Sequence, residues 1–292
     1  MFSPRRTPEV PHVGAALVGR HFDLFNSSKA KCPELGEGHH MKKDTSWNKV
    51  APWYDDLIEG ESSYQSELIL PNLLRLFLDI KNKNILDLAC GQGFFARAFS
   101  EAGASVTAID AAPALIDLAK TKPSKNIEYH VARADVFPFV KDASVDITVI
   151  VLAIQNIENI AGVFKEVSRV LKPNGKFMMV LNHPAFRIPK ESSWGWDDDQ
   201  KMQYRRIDQY LSESRKEIVM HPGEKNSTKT ISFHRPLQVY MKALVKAGFV
   251  LTRLEEWNSH KKCEKGPRQE VEDRARKEIP LFLFMEAQKS VE

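Results

Sequence analysis

Two carboxylates and two glycines have the spacing of a binding site. Asp87 lies inside the apolar run Ile85-Leu86-Asp87-Leu88-Ala89-Cys90, which breaks at Gly91-Gln92-Gly93. Asp110 closes the next apolar run, Ser105-Val106-Thr107-Ala108-Ile109. It follows the glycines at roughly the twenty-residue spacing from which an acid can take both hydroxyls of an adenosine ribose. Gly91 and Gly93 allow backbone angles closed to other residues and let the main chain approach a ligand with no Cβ between. Taken alone, Gly91-x-Gly93-x-x-Ala96 also fits a dinucleotide fingerprint, in which a pyrophosphate rests on the amides of a helix N-terminus.

Asp87 separates these readings, because a carboxylate just ahead of the glycines repels a pyrophosphate and suits a cation. S-adenosylmethionine (SAM) has no phosphate and carries a sulfonium and an ammonium. Two acids around one glycine turn therefore favour SAM over NAD, with a ligand-free βαβ unit as the plain alternative.

Several motifs in order resemble the class I SAM-dependent methyltransferases. Ile85 to Gly93 is similar to the first motif of that family, whose acid and glycine loop hold the methionine end of SAM. Asp110 matches the ribose acid. Ala134-Asp135-Val136 resembles the segment in which the Asp side chain meets the adenine amino group and the next amide meets the ring. Val145 to Leu152 resembles the fourth strand, and Val170-Leu171-Lys172-Pro173-Asn174-Gly175-Lys176-Phe177 the helix end and turn before the fifth. The resemblance implies cofactor contacts at Tyr54, Asp87, Ala89, Gly91, Gly93, Asp110, Ala111, Asp135, Val136 and Leu152. The family often has glycine where Ala89 stands and histidine where Asn156 stands.

The implied fold is α/β and Rossmann-like: a mostly parallel seven-stranded sheet, helices on both faces, and a substrate cap inserted after the fifth strand. Strands are expected near 84–89, 105–109, 127–131, 145–152 and 176–181, with helices near 94–102, 113–120 and 160–171. Such alternation builds a parallel sheet coated on both faces. Helical spacing of Val50, Trp53, Tyr54, Leu57 and Ile58, then a helix over 65–78, predicts a cover ahead of the core. Residues 1–40, rich in Pro, Gly and Ser without periodicity, are expected to form a disordered leader, with Met41 as an alternative start. Residues 41–182 then form the N-terminal helices and SAM-binding core, 183–235 the cap, and 236–292 the completion of the fold. In the cap, 217–220 and 229–233 read as a hairpin, and the charged stretch 258–277 as a solvated loop or surface helix.

Methyl transfer from a sulfonium is an in-line displacement, so holding acceptor and methyl in line supplies much of the catalysis. Ligands of open α/β sheets bind outside the C-terminal strand ends, which places Gln155, Asn156 and His183 at the mouth. His183 and His234 are the candidate bases. Trp194, Arg205, Tyr210 and Arg235 are candidate acceptor contacts, since aromatic walls and guanidinium forks suit planar or anionic groups. Arg206, beside Arg205, reads instead as a surface charge or a partner for Asp208. Asp197-Asp198-Asp199 reads as a solvated or helix-capping cluster, and no metal site is expected.

A net charge of +4 is mild for a protein built to track nucleic acid, and the three cysteines are odd in number and lack metal-ligand spacing. The segment after the fourth strand, Ala153-Ile154-Gln155-Asn156, lacks the Asn/Asp-Pro-Pro-aromatic sequence of nucleobase amino-methylating enzymes. The expectation is a cytoplasmic monomer or homodimer, without a membrane span, that methylates a small-molecule acceptor at O, N or C. Two alternatives remain: a non-catalytic SAM-binding regulator, and an RNA-modifying methyltransferase.

Overall fold

The computed structural model describes residues 47–60, 62–220 and 228–290. The expected leader and the turn at 222–226 lie outside them.

A short turn and α1 (Ala51–Glu59) come first, then one π turn over Gln65–Ile69 and α2 (Leu70–Phe77). The core alternates as β1 (Asn84–Leu88), α3 (Phe94–Glu101), β2 (Ser105–Asp110), α4 (Pro113–Thr121), β3 (Ile127–Val131), β4 (Val145–Val151), α5 (Ile160–Val170) and β5 (Leu171–Asn182). Four strands follow in the inserted region: β6 (Ser192–Asp197), β7 (Met202–Ile207), β8 (Ser214–Val219) and β9 (Lys229–His234). The chain closes with α6 (Leu237–Lys246), β10 (Phe249–Trp257), α7 (Gln269–Glu278) and β11 (Phe282–Lys289). The main sheet has seven strands in the order β10-β11-β5-β4-β1-β2-β3. Neighbours from β5 to β3 are parallel, and β11 runs antiparallel to both β5 and β10.

Side-chain alternation divides the core between the two faces of the sheet. On β5, Phe177, Met179 and Leu181 join one apolar cluster with Val163, Phe164 and Val167 of α5 and Tyr240 and Leu244 of α6. Met178 and Val180 point to the opposite cluster, with Leu73 and Phe77 of α2 and Phe95 and Phe99 of α3. The same alternation on β11 sends Leu283 and Met285 one way and Phe282 and Phe284 the other. α5 forms where its sequence puts Ile160, Val163, Phe164, Val167 and Val170 on one buried stripe, and Asn159 caps it by accepting from the Gly162 amide at 3.0 Å.

Two expectations need correction. β5 starts at Leu171, not near 176: Leu171 already pairs with Val145, and the Pro173-Asn174-Gly175 turn interrupts the pairing rather than preceding it. The turn is tight, with Asn174 at φ +62° and the Gly175 Cα position only 2.8 Å, for an added Cβ, from the Lys172 carbonyl oxygen. The cap holds two antiparallel hairpins, β6–β7 and β8–β9, where only the second was expected. The first was hidden because both its strands are mostly polar. It pairs Trp194 with Arg205 and Trp196 with Gln203, and Asp197 closes its turn by accepting from the Asp199 and Gln200 amides at 3.0 and 2.9 Å. The charged stretch before β11 yields α7, whose acidic first turn and basic last turn match the helix dipole. No described helix is long and apolar enough to cross a membrane.

Candidate cofactor and acceptor site

A cavity of about 390 Å³ opens at the carboxyl ends of β1, β2 and β4. Its floor is Ala89, Gly91, Asp110, Ala111, Asp135 and Leu152, all anticipated from sequence. Trp47 and Tyr54 cover it from the N-terminal segment, their rings edge to face at 5.4 Å. That cover is held by Ala51 packing on Ala112 and Leu115, by a hydrogen bond from the Ala114 amide to Asn48 Oδ1 at 3.1 Å, and by the Lys122–Asp55 ion pair. The remaining wall includes Asn156, Ile157, Glu158 and, from the cap strand β9, Ile231 and Phe233.

Asp110 shapes the glycine loop. Its Oδ2 accepts from the Gly91 amide at 2.9 Å and its Oδ1 from the Ala112 amide at 2.8 Å. Burial pushes its carboxyl above the usual range, and those amides hold it down. Asp87 lies buried beneath the loop with Oδ2 unpartnered among the described residues. Burial first, and then the Asp110 charge, raise its pKa from 3.8 to about 7. Burial raises the Tyr54 phenol as well, with the same two carboxylates adding to it. Arg133 clamps Asp135 through two bonds of 2.9 and 2.8 Å, which, with Asn159, lower its pKa.

These groups fit a sulfonium nucleoside better than a pyrophosphate. The Gly91 amide, a natural phosphate donor, is spent on Asp110. The orphaned Asp87 oxygen supplies buried negative charge for a cation. Gly91 sits against the Tyr54 ring, where an added Cβ would lie 3.3 Å from it.

Ala89, where glycine is frequent in the resembling family, has φ +58°. The left-handed region costs a non-glycine residue about 1–2 kcal/mol, and glycine's extra chain entropy offsets about 0.5–1 of that. Ala89→Gly is therefore expected to raise unfolding stability by up to about 1.5 kcal/mol, read by denaturant titration. A loss of stability would show that the Ala89 methyl packing outweighs its strain. Leu152, on the same cavity floor, is held at φ +52°.

Other sequence candidates sit elsewhere. Gly93 does not line the cavity. It caps α3 at φ +80°, pressed so close to Tyr129 that a Cβ would lie 2.6 Å from the hydroxyl. The Val136 amide, expected at the adenine ring, donates to the Arg133 carbonyl at 3.2 Å, and the residue is 58% exposed and outside the cavity lining. Gln155 stands just behind the wall, donating to the Leu152 carbonyl at 2.7 Å.

Both candidate bases are engaged with other groups. His183 Nδ1 accepts from the Ala185 amide at 3.2 Å, so Nε2 carries the proton and donates to Glu256 at 2.7 Å. Burial holds its pKa below the ordinary value. His234 Nε2 donates to the Tyr210 carbonyl at 2.8 Å. Neither ring lines the cavity. Tyr210 accepts from the Leu237 amide at 3.1 Å and anchors the start of α6. Buried Arg235 donates to the Ile157 and Glu158 carbonyls at 2.9 and 2.7 Å and stacks on Phe233 at 5.0 Å, so it ties the cap strand to the cavity rim. Trp194 and Arg205 belong to the first hairpin, away from the cavity lining, and Arg206 pairs with Asp208 at 2.8 Å.

Among the wall residues that sequence reasoning missed, beside Trp47, Ile157 and Glu158, are Ile231 and Phe233 of the cap. The signal was present, because alternation along β9 puts them on one face and Thr230 and His234 on the other.

The family described as "Methyltransferase domain" matches residues 86–179. A demethylmenaquinone methyltransferase of Lactococcus lactis is 30% identical over 154 residues, covering 50% of this chain and 61% of that one. A ubiquinone biosynthesis O-methyltransferase of Xanthomonas oryzae is 29% identical over 154 residues, covering 51% and 64%. The matches thus span less than two thirds of these relatives. A crystal structure of a SAM-dependent methyltransferase from Mesorhizobium loti superposes with TM-score 0.60 at 26% identity, covering 75% of this chain and 96% of that one. A putative SAM-dependent methyltransferase from Listeria monocytogenes shares the fold with TM-score 0.61 at 24% identity, covering 76% and 98%. Residues 86–179 thus match a methyltransferase domain, within a class I, Rossmann-like fold shared with SAM-dependent methyltransferase structures.

Proposed function

We propose that the whole protein transfers a methyl group from SAM to a small-molecule acceptor admitted beneath the β8–β9 hairpin. The observation that carries this reading is a single cavity with acids and a glycine loop on its floor and the apolar side chains Ile157, Ile231 and Phe233 on its wall. Asp110 and the Gly91 loop would hold the ribose, Asp87 the cationic methionine end and Asp135 the adenine, with Tyr54 and Trp47 closing the cofactor from water. When bound, SAM supplies an activated methyl on a good leaving group.

The chain contributes positioning. Ile231 and Phe233 offer an apolar surface to a planar acceptor, Asn156 a hydrogen-bonding edge, and Arg235 fixes the strand that bears the two apolar residues. Displacement from a sulfonium draws chiefly on such alignment, which agrees with both histidines being engaged in tying elements together. The similarity to methyltransferases named for demethylmenaquinone and ubiquinone biosynthesis supports a planar small acceptor.

The test is incubation of the full chain with methyl-labelled SAM and a small-molecule extract, followed by mass spectrometry. The label is expected in a low-mass product that survives nuclease treatment. Label appearing only in RNA, or SAM bound without turnover by any fraction, would replace this reading with one of the two alternatives.

A further inference from the structure

The first hairpin encloses a group of cations that the cavity does not use. Arg187, in the loop after β5, and Arg205, on β7, both place their guanidinium groups over the Trp194 ring, at 5.8 and 5.2 Å. α7 packs against β7 and brings Arg268 over Trp196 at 4.3 Å, with Arg276 on the same helix. Arg205 spends two donors on the Phe186 carbonyl and the Ser192 hydroxyl, both at 2.9 Å. Arg276 reaches the Cys263 thiol. Among the described residues no carboxylate pairs with Arg187 or Arg205, while Arg276 has the Asp273 carboxylate one turn away, whose pKa it helps to lower. Three polar atoms in this region are buried and unpartnered: Nε of Arg187, Nε of Arg276 and Oε1 of Gln203, whose residue pairs with Trp196 across the hairpin.

Half-buried cations without counter-charge are costly, and proteins pair them. We propose that the inner face of the β6–β7 hairpin, with Arg187 and α7, binds an anionic group of a small molecule, a carboxylate or a phosphate. Guanidinium forks match such oxyanions geometrically, and the indole flanks them with an apolar wall. The electrostatics agree. Burial and then the charge of Arg187 push Arg205 down to about 10, and burial, with the Arg276 charge adding, lowers Arg187. β4 and β5 are parallel, so the loop after β5 lies on the same rim of the sheet as the cavity at the end of β4. Where the methyl-transfer reading holds, this face anchors the acceptor's anionic group, yet anion binding itself requires neither SAM nor turnover.

The test is a thermal-melt titration of the full chain, without SAM, against benzoate, inorganic phosphate and, at equal ionic strength, chloride. A saturable rise in melting temperature beyond that of chloride is expected, from benzoate if the group is a carboxylate and from phosphate if it is a phosphate. Arg187→Met and Arg276→Met are each expected to weaken it by about tenfold or more, with SAM affinity unchanged by calorimetry. Without added anion, Arg187→Met should melt no lower than the parent, because it removes a repelling charge. If that variant does not fold, Arg187→Lys keeps the charge, loses the planar fork and should still bind more weakly. The proposal is overturned by melting shifts no greater than those of chloride, or by shifts that persist undiminished in the variants. Failure of SAM binding in the parent protein would instead strike the methyl-transfer reading and leave this site standing.

Discussion

Asp110→Ala is expected to weaken SAM binding by about 1–3 kcal/mol, roughly five- to 150-fold, the scale of losing a charge-assisted hydrogen bond. Two effects act together. In the proposed reading the carboxylate takes the ribose hydroxyls, and it also accepts from the Gly91 and Ala112 amides, at 2.9 and 2.8 Å. Removing it frees the loop that the cofactor would meet. Asp110→Asn keeps one acceptor oxygen and should lose less affinity than alanine, with the loop better held. Calorimetry with SAM, beside a thermal melt of each variant, separates binding from folding. Unchanged affinity in Asp110→Ala, or preference for NADH, would refute the cofactor assignment.

SAM affinity is expected to rise with pH up to about 7 and then level, because of Asp87. Its carboxyl is buried, faces Asp110, Tyr54 and Cys90, and ionises only near pH 7 in the ligand-free protein. A cation bound beside it favours the charged form, so binding below that pH must expel a proton, at up to about tenfold in affinity per pH unit. Asp87→Asn should flatten the profile over this range and bind more weakly at pH 7.5. Stability runs the opposite way. A group whose folded pKa is raised contributes fully below its unfolded pKa, here 3.8, and that contribution is lost as pH rises through about 7. The ligand-free protein should therefore lose stability across that window, and Asp87→Asn should lose less. A parent profile with no slope between pH 5 and 7 would show that Asp87 does not meet the cation.

Most of the core was legible in the sequence because local chemistry dictates it. The apolar runs at β1, β2 and β4 are buried on both faces and can only be inner strands of a parallel sheet. The glycine turn, the acids on either side of it and the Pro-Asn-Gly turn follow from backbone sterics and charge, which act over a few residues. Gly91 and Asp110 follow from that chemistry, and the resemblance its motifs carry adds Ala89, Ala111, Asp135 and Leu152; all six line one cavity floor.

Tertiary structure decided what depends on partners distant in the chain. His183 had the right place, just beyond β5, yet Glu256, 73 residues on, takes its Nε2 proton and makes it a tie between elements. Arg235 had the right type, yet the carbonyls of Ile157 and Glu158 claim its guanidinium. The β6–β7 hairpin is mostly polar, because its inner face is built from indoles stacked with arginines from the β5 loop, from β7 itself and from the start of α7. Sequence spacing states which residues can reach a strand end. Which of them keep a free donor or acceptor there is set by packing, since each buried polar group takes the nearest partner that the fold brings to it.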